Sequence, residues 1–134
     1  MAWLESLSLG LRRRLPVILQ TEAAECGLAC LAMVMGYHGV ITDLATLRSR
    51  HAISLKGMSL ASLAKLAQDE RLGFRAVRLQ LKDMANLSTP AILHWDLNHF
   101  VVLKAVSGNH VTVHDPDEGE RRYTMQEVNE HFTG

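Results

Sequence analysis

The sequence has few cysteines, no net charge and no long apolar run, and each shortage excludes a class of protein. Its two cysteines, Cys26 and Cys30, are one helical turn apart, which gives poor disulfide geometry and excludes a disulfide scaffold. A reducing compartment suits such a chain best. Its 14 basic and 14 acidic side chains balance, which argues against long-range attraction to nucleic acid or anionic lipid. The longest apolar run, between Glu25 and Gly36, is too short to span a membrane.

What is present suffices for one folded domain. A chain of 134 residues with 48% hydrophobic residues can bury a single core. Leu4, Leu7 and Leu11 recur at helical spacing, so we expect residues 1–14 to form an N-terminal arm or a short amphipathic helix. The remaining residues, 15–134, are then expected to form the domain.

Apolar periodicity predicts helices in the first half of the chain and strands in the second. We expect a first helix from about Cys26 to Gly36 or Gly39, further helices at 44–50, 60–72 and 126–132, and strands at 74–81, 90–95, 99–106, 110–115 and 121–124. Asp43, with Thr42 as the alternative, is the expected N-cap of the second helix, and Ser59 that of the third. Helices followed by an antiparallel sheet indicate an α+β fold.

The hairpin at residues 107–109 limits how the last strands pair. A two-residue turn would send the side chains of His99 and Asp115 to opposite faces of the sheet. A three-residue loop, or one of equal parity, pairs Val101 with Asp115 and is our prediction, because Asn109 tolerates the left-handed backbone that it needs. The face that results should be apolar and pack on the first helix, and its members are His99, Val101, Leu103, Ala105, Val111, Val113 and Asp115.

Cys26 is the candidate nucleophile of this chain. It opens a helix-compatible apolar run, and the positive end of a helix dipole favours the thiolate form. Far downstream, His99 and Asp115 supply the base and the orienting carboxylate that such a thiol needs. Upstream, the side-chain amide of Gln20 can donate to an oxyanion. This set of residues predicts a cysteine hydrolase.

Each candidate also has a purely structural explanation. We interpret Cys30 as a small buried hydrophobic residue, and for Cys26 that explanation is as good as the catalytic one when the thiol is taken alone. Gln20 by itself would be a surface amide. Asp115 precedes a proline, so it could simply belong to a turn at a strand end.

A four-part pattern resembles the papain-like cysteine peptidase domain at the N-terminus of bacteriocin-exporting ABC transporters. It consists of Gln20, the run 25–31 (Glu-Cys-Gly-Leu-Ala-Cys-Leu), the run 99–103 (His-Phe-Val-Val-Leu) and the pair Asp115-Pro116. The resemblance covers essentially the whole chain and is greatest to exporters of the colicin V type. It implies a papain-like α+β fold in which an N-terminal helical half packs on a C-terminal antiparallel sheet. Because such exporters continue into membrane and nucleotide-binding domains, we expect an excised or standalone domain.

The resemblance implies a double-glycine leader peptidase, in which Cys26 attacks the carbonyl that follows the second glycine of a leader peptide. His99 and Asp115 would assist the thiol, and Gln20 would help to form the oxyanion hole. The implied partners are the leader of a bacteriocin or microcin-type precursor and the transmembrane and nucleotide-binding domains of the exporter. Neither nucleic acid binding nor direct membrane insertion is expected. We expect a location on the cytoplasmic side of the bacterial inner membrane and no cofactor for proteolysis, ATP being used only by the nucleotide-binding domain.

Three other functions compete with this interpretation. The first is a non-catalytic docking domain that holds secretion substrates, although docking requires none of the four site residues. The second is another papain-like acyl transfer, such as amidase or transglutaminase chemistry. The third is a zinc site at His94, Asp96 and His99, whose spacing matches no familiar zinc pattern.

Overall fold

The fold is described from a computed structural model that covers residues 14–51 and 57–133. The arm predicted at residues 1–14 lies, except for its last residue, outside the described part of the chain. The helices are α1 (Cys26–Tyr37), α2 (Leu44–Arg50), α3 (Leu60–Asp69) and α4 (Met125–His131), and the strands are β1 (Ala91–Trp95), β2 (His99–Ser107), β3 (His110–Asp115) and β4 (Gly119–Thr124). Two short 3-10 helices, Ala23–Glu25 and Leu81–Asn86, precede α1 and β1. This layout confirms the predicted α+β class. None of the helices within the described ranges combines the length and apolar character that crossing a membrane requires.

The second and third helices begin at the predicted caps. The carboxylate of Asp43 accepts a hydrogen bond from the Thr46 backbone N–H at 2.7 Å, so the alternative cap, Thr42, is not used. The Ser59 hydroxyl accepts from the Ser62 backbone N–H at 3.1 Å. Each cap satisfies an amide that the helix itself leaves without a partner.

The four strands form one antiparallel sheet in the order β1-β2-β3-β4, and the sheet is buried on both faces. On one face, Phe100 and Val102 of β2 belong to the cluster built around α1. On the other face, Val101 of β2 packs in a second cluster with Trp95 of β1 and Val128 of α4. The sheet therefore forms the middle layer of the domain.

Burial on both faces corrects the predicted packing of the sheet. Val101, Leu103, Val111 and Val113 do share one cluster, but it contains Val128 of α4 and none of the residues of α1. Ala105, expected on the same face, is exposed. An uninterrupted apolar run such as residues 100–103 is typical of a strand that is covered on both faces of the sheet. In β2 this run predicts burial on both faces, whereas the alternation of polar and apolar residues used above predicts burial on one face only.

The hairpin reaches the predicted pairing by a different route. Its turn has two residues, Gly108 and Asn109, so the predicted three-residue loop is wrong. Instead, the register shifts between Leu103 and Ala105, where β2 carries one extra residue, and Val102 consequently lies opposite His114. A β-bulge of this kind changes the parity of the pairing just as a longer loop would.

Residues 74–81 do not form the predicted strand. Residues 72–80 have no regular secondary structure, and Val77 is 45% exposed. A strand needs a free edge to pair with, and the outer edge of β1 is partly taken by the end of the chain. Phe132 bridges to Trp95 there, and the Thr133 backbone N–H donates to the His94 carbonyl at 3.1 Å.

Candidate active site

His99 and Asp115 meet at the ends of two neighbouring strands. His99 is the first residue of β2 and Asp115 the last residue of β3, and the imidazole Nε2 lies 2.7 Å from the carboxylate Oδ1. Asp115 is only 6% exposed, and its Oδ1 also accepts from the Asp117 backbone N–H at 2.8 Å. The carboxylate is thus fixed by the turn that follows it, so it can hold the imidazole in one orientation.

The surroundings of His99 favour the imidazolium form. Burial alone would lower the pKa of His99, but hydrogen bonds with Asp115 and Cys26 and the negative charges of both outweigh it and raise the pKa from 6.5 to about 10. Since Asp115 takes Nε2, the ring nitrogen left for the thiol is Nδ1. The site therefore favours a positive imidazole beside the Asp115 carboxylate.

The same contacts act on Asp115 in the opposite sense. Burial would raise the pKa of Asp115, but hydrogen bonds from His99 and from the Asp117 backbone N–H, together with the His99 charge, lower it below its usual 3.8. The carboxylate therefore stays ionised and accepts hydrogen bonds without competing for the proton that a reaction would move.

Cys26 is the first residue of α1 and only 4% exposed, and it lies close enough to His99 to help raise the pKa of that imidazole. The preceding residue, Glu25, is also buried and accepts from the Arg48 guanidinium at 2.6 Å and from the Glu22 backbone N–H at 3.0 Å. The Arg48 hydrogen bond, the largest contribution, lowers the pKa of Glu25. The sequence analysis missed this ion pair, because nothing in the sequence links residues 23 positions apart.

Gln20 lies beside the strand end that carries Asp115. Its backbone N–H donates to the carbonyl of Pro116 at 2.8 Å, and Pro116 is the residue that follows Asp115. Its side-chain Oε1 is buried and has no hydrogen-bond partner among the described residues. This oxygen can only accept a hydrogen bond, so the end of the amide that could donate to an oxyanion is Nε2.

Cys30 is fully buried in the core, as predicted for a small hydrophobic residue. Burial raises the pKa of Cys30 well above its usual value, and the negative charges of Cys26 and Asp115 act in the same direction. The Cys30 thiol therefore stays protonated, although it lies one turn from Cys26.

A cleft of about 580 Å³ opens beside Cys26. Two exposed leucines line it, Leu60 at the start of α3 and Leu97 in the β1–β2 loop, and they are 46% and 78% exposed. The full lining consists of Ala23, Ala24, Cys26, Gly57, Met58, Ser59, Leu60, His94, Leu97, Asn98 and Phe100. Sequence reasoning did not find this surface, because its parts come from four separate stretches of chain.

Two of the three residues of the zinc alternative have other partners. His99 is bonded to Asp115, and Asp96 Oδ1 lies 2.8 Å from the His131 Nδ1. Within residues 14–51 and 57–133, no group of three or more His, Cys, Asp or Glu side chains is arranged to hold a metal ion. The arrangement instead has the parts of nucleophilic catalysis: a thiol at a helix start, an imidazole and an orienting carboxylate.

Comparison with protein families matches residues 14–134 to the Peptidase C39 family. The chain belongs to this family. As a C39 domain it is a cysteine peptidase with a papain-like fold, which confirms the resemblance found in the sequence.

Two relatives of this C39 domain come from Escherichia coli. It is 46% identical to the colicin V secretion/processing ATP-binding protein over 128 residues. This match covers 96% of this chain and 18% of that protein. It is 44% identical to the probable microcin-H47 secretion/processing ATP-binding protein over 131 residues. This match covers 98% of this chain and 19% of that protein. The chain thus spans less than a fifth of the length of these relatives.

Two solved structures share the fold of this C39 domain. One is a double glycine motif protease from an AMS/PCAT transporter in complex with the leader peptide, with 35% identity and a TM-score of 0.84 over 92% of this chain and 89% of that chain. The other is the peptidase domain of Streptococcus ComA, with 23% identity and a TM-score of 0.81 over 90% of this chain and 94% of that chain. The second likeness concerns the fold alone.

Proposed function

We propose that this C39 domain removes the leader of a bacteriocin or microcin-type precursor by cutting after its Gly-Gly end. The observation that carries the proposal is the 2.7 Å bond between His99 and Asp115 beside a thiol at a helix start. The domain would work as part of an ABC transporter, on the cytoplasmic side of the bacterial inner membrane. The names of its relatives, which join secretion with processing, support this assignment.

In the first half of the reaction, the Cys26 thiolate attacks the carbonyl carbon of the second glycine. The oxyanion that forms accepts hydrogen bonds from the Nε2–H group of the Gln20 side chain and from the Cys26 backbone N–H. The C–N bond then breaks, and His99 gives its Nδ1 proton to the departing amine. The product is a thioester between Cys26 and the leader.

In the second half, water hydrolyses the thioester. His99 Nδ1 takes a proton from the water while the new oxygen–carbon bond forms, and Cys26 leaves as a thiolate. Throughout, Asp115 holds Nε2–H, so that Nδ1 always faces the reacting atoms. These groups supply nucleophile, acid, base and oxyanion donors, so we propose that proteolysis needs neither a metal nor an organic cofactor.

The cleft beside Cys26 is our candidate for the surface that receives the leader. Its apolar members, which include Met58, Leu60 and Leu97, suit the apolar side chains of an amphipathic peptide. Binding energy from such remote contacts can position a flexible Gly-Gly segment for attack.

The test uses a quenched fluorescent peptide that carries a colicin V-type leader and its Gly-Gly end. The domain should cleave it after the second glycine, as read by mass spectrometry, and should leave an Ala-Ala version of the peptide intact. Cys26→Ala should bind the peptide with unchanged affinity and cleave none of it, whereas the matched control Cys30→Ala should cleave it. Cleavage by Cys26→Ala would refute the nucleophile assignment. Equal cleavage of both peptides would refute the double-glycine specificity, and binding without any cleavage by the unaltered domain would favour the docking function.

A further inference from the structure

Three consecutive residues at the end of β3 hold three different parts of the site. Asp115 binds the imidazole of His99. The carbonyl of Pro116 accepts the backbone N–H of Gln20 at 2.8 Å. The Nδ1 of His114 lies 2.8 Å from the carbonyl oxygen of Pro16, four residues before Gln20. The proposed mechanism uses Asp115 and Gln20 and leaves His114 without a role.

His114 is a buried, doubly bonded histidine, with only 1% of its surface exposed. The carbonyl of Pro16 can only accept, so Nδ1 must be the donor. On the other side of the ring, Nε2 lies 2.9 Å from the carboxylate of Glu120, which also accepts from Lys104 Nζ at 2.7 Å. The ring is thus held on both sides, and its donor to Pro16 is fixed in direction.

The segment that leads to Gln20 packs on the core through Leu15 and Ile18 but has few polar contacts. It has no helix or strand structure, and Val17 and Leu19 are 49% and 55% exposed. Within the described residues, its backbone is hydrogen-bonded only at Pro16, to His114, and at Gln20, to Pro116. Together with the packing of Leu15 and Ile18, these two hydrogen bonds four residues apart set the path of the backbone into Gln20. Where the amide of Gln20 points therefore depends on both anchors.

We propose that His114 is a positioning residue for catalysis, which holds the Pro16 carbonyl so that the side-chain amide of Gln20 stays aimed at the oxyanion. The inference rests on the oxyanion role of Gln20 in the proposed function. Misplacing a catalytic group by about 1 Å can cost about a hundredfold in rate, so an anchor of this kind matters for turnover. Because His114 is 1% exposed, substrate affinity should not depend on it.

The test is a double-mutant cycle between His114 and Gln20, measured with the leader peptide described above. His114→Leu removes the donor, and kcat should fall about 5- to 50-fold with KM within about twofold of its original value. His114→Asn keeps an N–H donor near the position of Nδ1 and should restore kcat to within about threefold. His110→Leu, four residues earlier in the same strand, is the control and should leave kcat unchanged.

The Gln20→Ala background separates positioning from a general structural role. There, His114→Leu should lower kcat less than about twofold, because the group that it positions is gone. An equal fall in both backgrounds, or an unchanged kcat in folded His114→Leu, overturns the inference. If Gln20→Ala itself leaves kcat unchanged, the oxyanion assignment fails instead.

A second variant keeps the test decisive if His114→Leu lacks a cooperative melting transition. Glu120→Leu removes the partner of Nε2 at a half-exposed side chain, so the fold should survive. We expect kcat to fall about two- to fivefold in the otherwise unaltered domain and not to fall further in the Gln20→Ala background. An unchanged kcat, or the same fall in both backgrounds, counts against the role of His114.

Discussion

At the scale of single residues, the domain gives two thiols one helical turn apart very different surroundings. Cys26 lies at the first position of α1 and contributes to the raised pKa of His99. Cys30 has no exposed surface and packs in the core. Position along the helix, rather than the chemistry of the residue, therefore decides which thiol can react.

Replacing Cys30 tests this difference between the thiols. Cys30→Ser should leave kcat/KM within about twofold, because the residue touches no substrate, and should lower the free energy of unfolding by about 1–3 kcal/mol, because a hydroxyl is buried without a partner. Urea denaturation and the peptide assay measure the two effects. A folded but inactive Cys30→Ser domain would show that this thiol takes part in catalysis.

Asp115→Asn should move the alkaline limit of activity. In the proposed mechanism, Cys26 reacts while His99 is protonated. Asp115 contributes both a hydrogen bond and a negative charge to the rise of the His99 pKa to about 10. Asparagine keeps an acceptor for Nε2–H and loses the charge, so the pKa of His99 falls. The alkaline limb of kcat/KM should then shift to lower pH by at least about one unit. Unshifted limbs in the pH–rate profiles of the two proteins would contradict this account.

The candidate site could be predicted from the sequence because the types and order of its residues form a pattern. The sequence predicts Cys26, His99 and Asp115 as partners; the structure joins His99 to Asp115 at 2.7 Å and places Cys26 where it affects the pKa of His99. The supporting contacts could not be predicted in this way. The Glu25–Arg48 pair and the bond from His114 to Pro16 join residues that only the packing of the chain makes neighbours.

At the scale of elements, the sequence predicted helix caps correctly but predicted strand pairing poorly. Asp43 and Ser59 cap their helices because a cap depends on residues within one turn. The strand predicted at 74–81 failed because alternation describes one stretch of chain, while a strand also needs a partner edge. The predicted loop length was wrong because an extra residue anywhere along two paired strands changes which side chains share a face. Here the extra residue lies in β2, between Leu103 and Ala105.

The contact between α1 and the segment before Gln20 makes a prediction at this scale. A Cβ added at Gly36 would lie 2.8 Å from Cγ of Pro16, whose ring cannot move aside as a flexible side chain can. Alanine gains about 1 kcal/mol of helix propensity there, but the clash should dominate, so Gly36→Ala should lower the free energy of unfolding by about 1–3 kcal/mol. Urea denaturation measures the change.

Gly73 provides the matched control for this prediction. A Cβ at Gly73 would meet nothing within 4 Å, so Gly73→Ala should change the free energy of unfolding by no more than about 0.5 kcal/mol. Two alanine variants of equal stability would contradict the close approach of Pro16 to α1.

At the scale of the whole molecule, the raised pKa of His99 links stability to pH. The folded domain keeps a proton on His99 up to about pH 10, whereas the unfolded chain loses it near 6.5. The resulting stabilisation is fully present below pH 6.5 and is lost as the pH rises toward 10. For Asp115, whose pKa is lowered, the stabilisation is present above 3.8 and is lost as the pH falls through the folded value.

Unfolding free energies of the domain and of His99→Gln, measured by urea denaturation from pH 6 to pH 10, test this linkage. The unaltered domain should lose stability faster than the variant, by up to about 1.4 kcal/mol per pH unit. Parallel curves for the two proteins would show that His99 has the same proton affinity in the folded and unfolded chains.

The β-bulge also decides where the chain tolerates change. Because the extra residue sits inside β2, the register of His99 against Asp115 is fixed by core pairs such as Leu103 and Val113, and not by the length of the turn. The turn at residues 108–109 is exposed, and Gly108 has a φ of +59°. A short peptide tag or a fluorophore-bearing insert placed between these two residues would therefore leave His99 and Asp115 aligned. The turn at residues 108–109 is therefore a site at which the active peptidase can be labelled or attached to a surface.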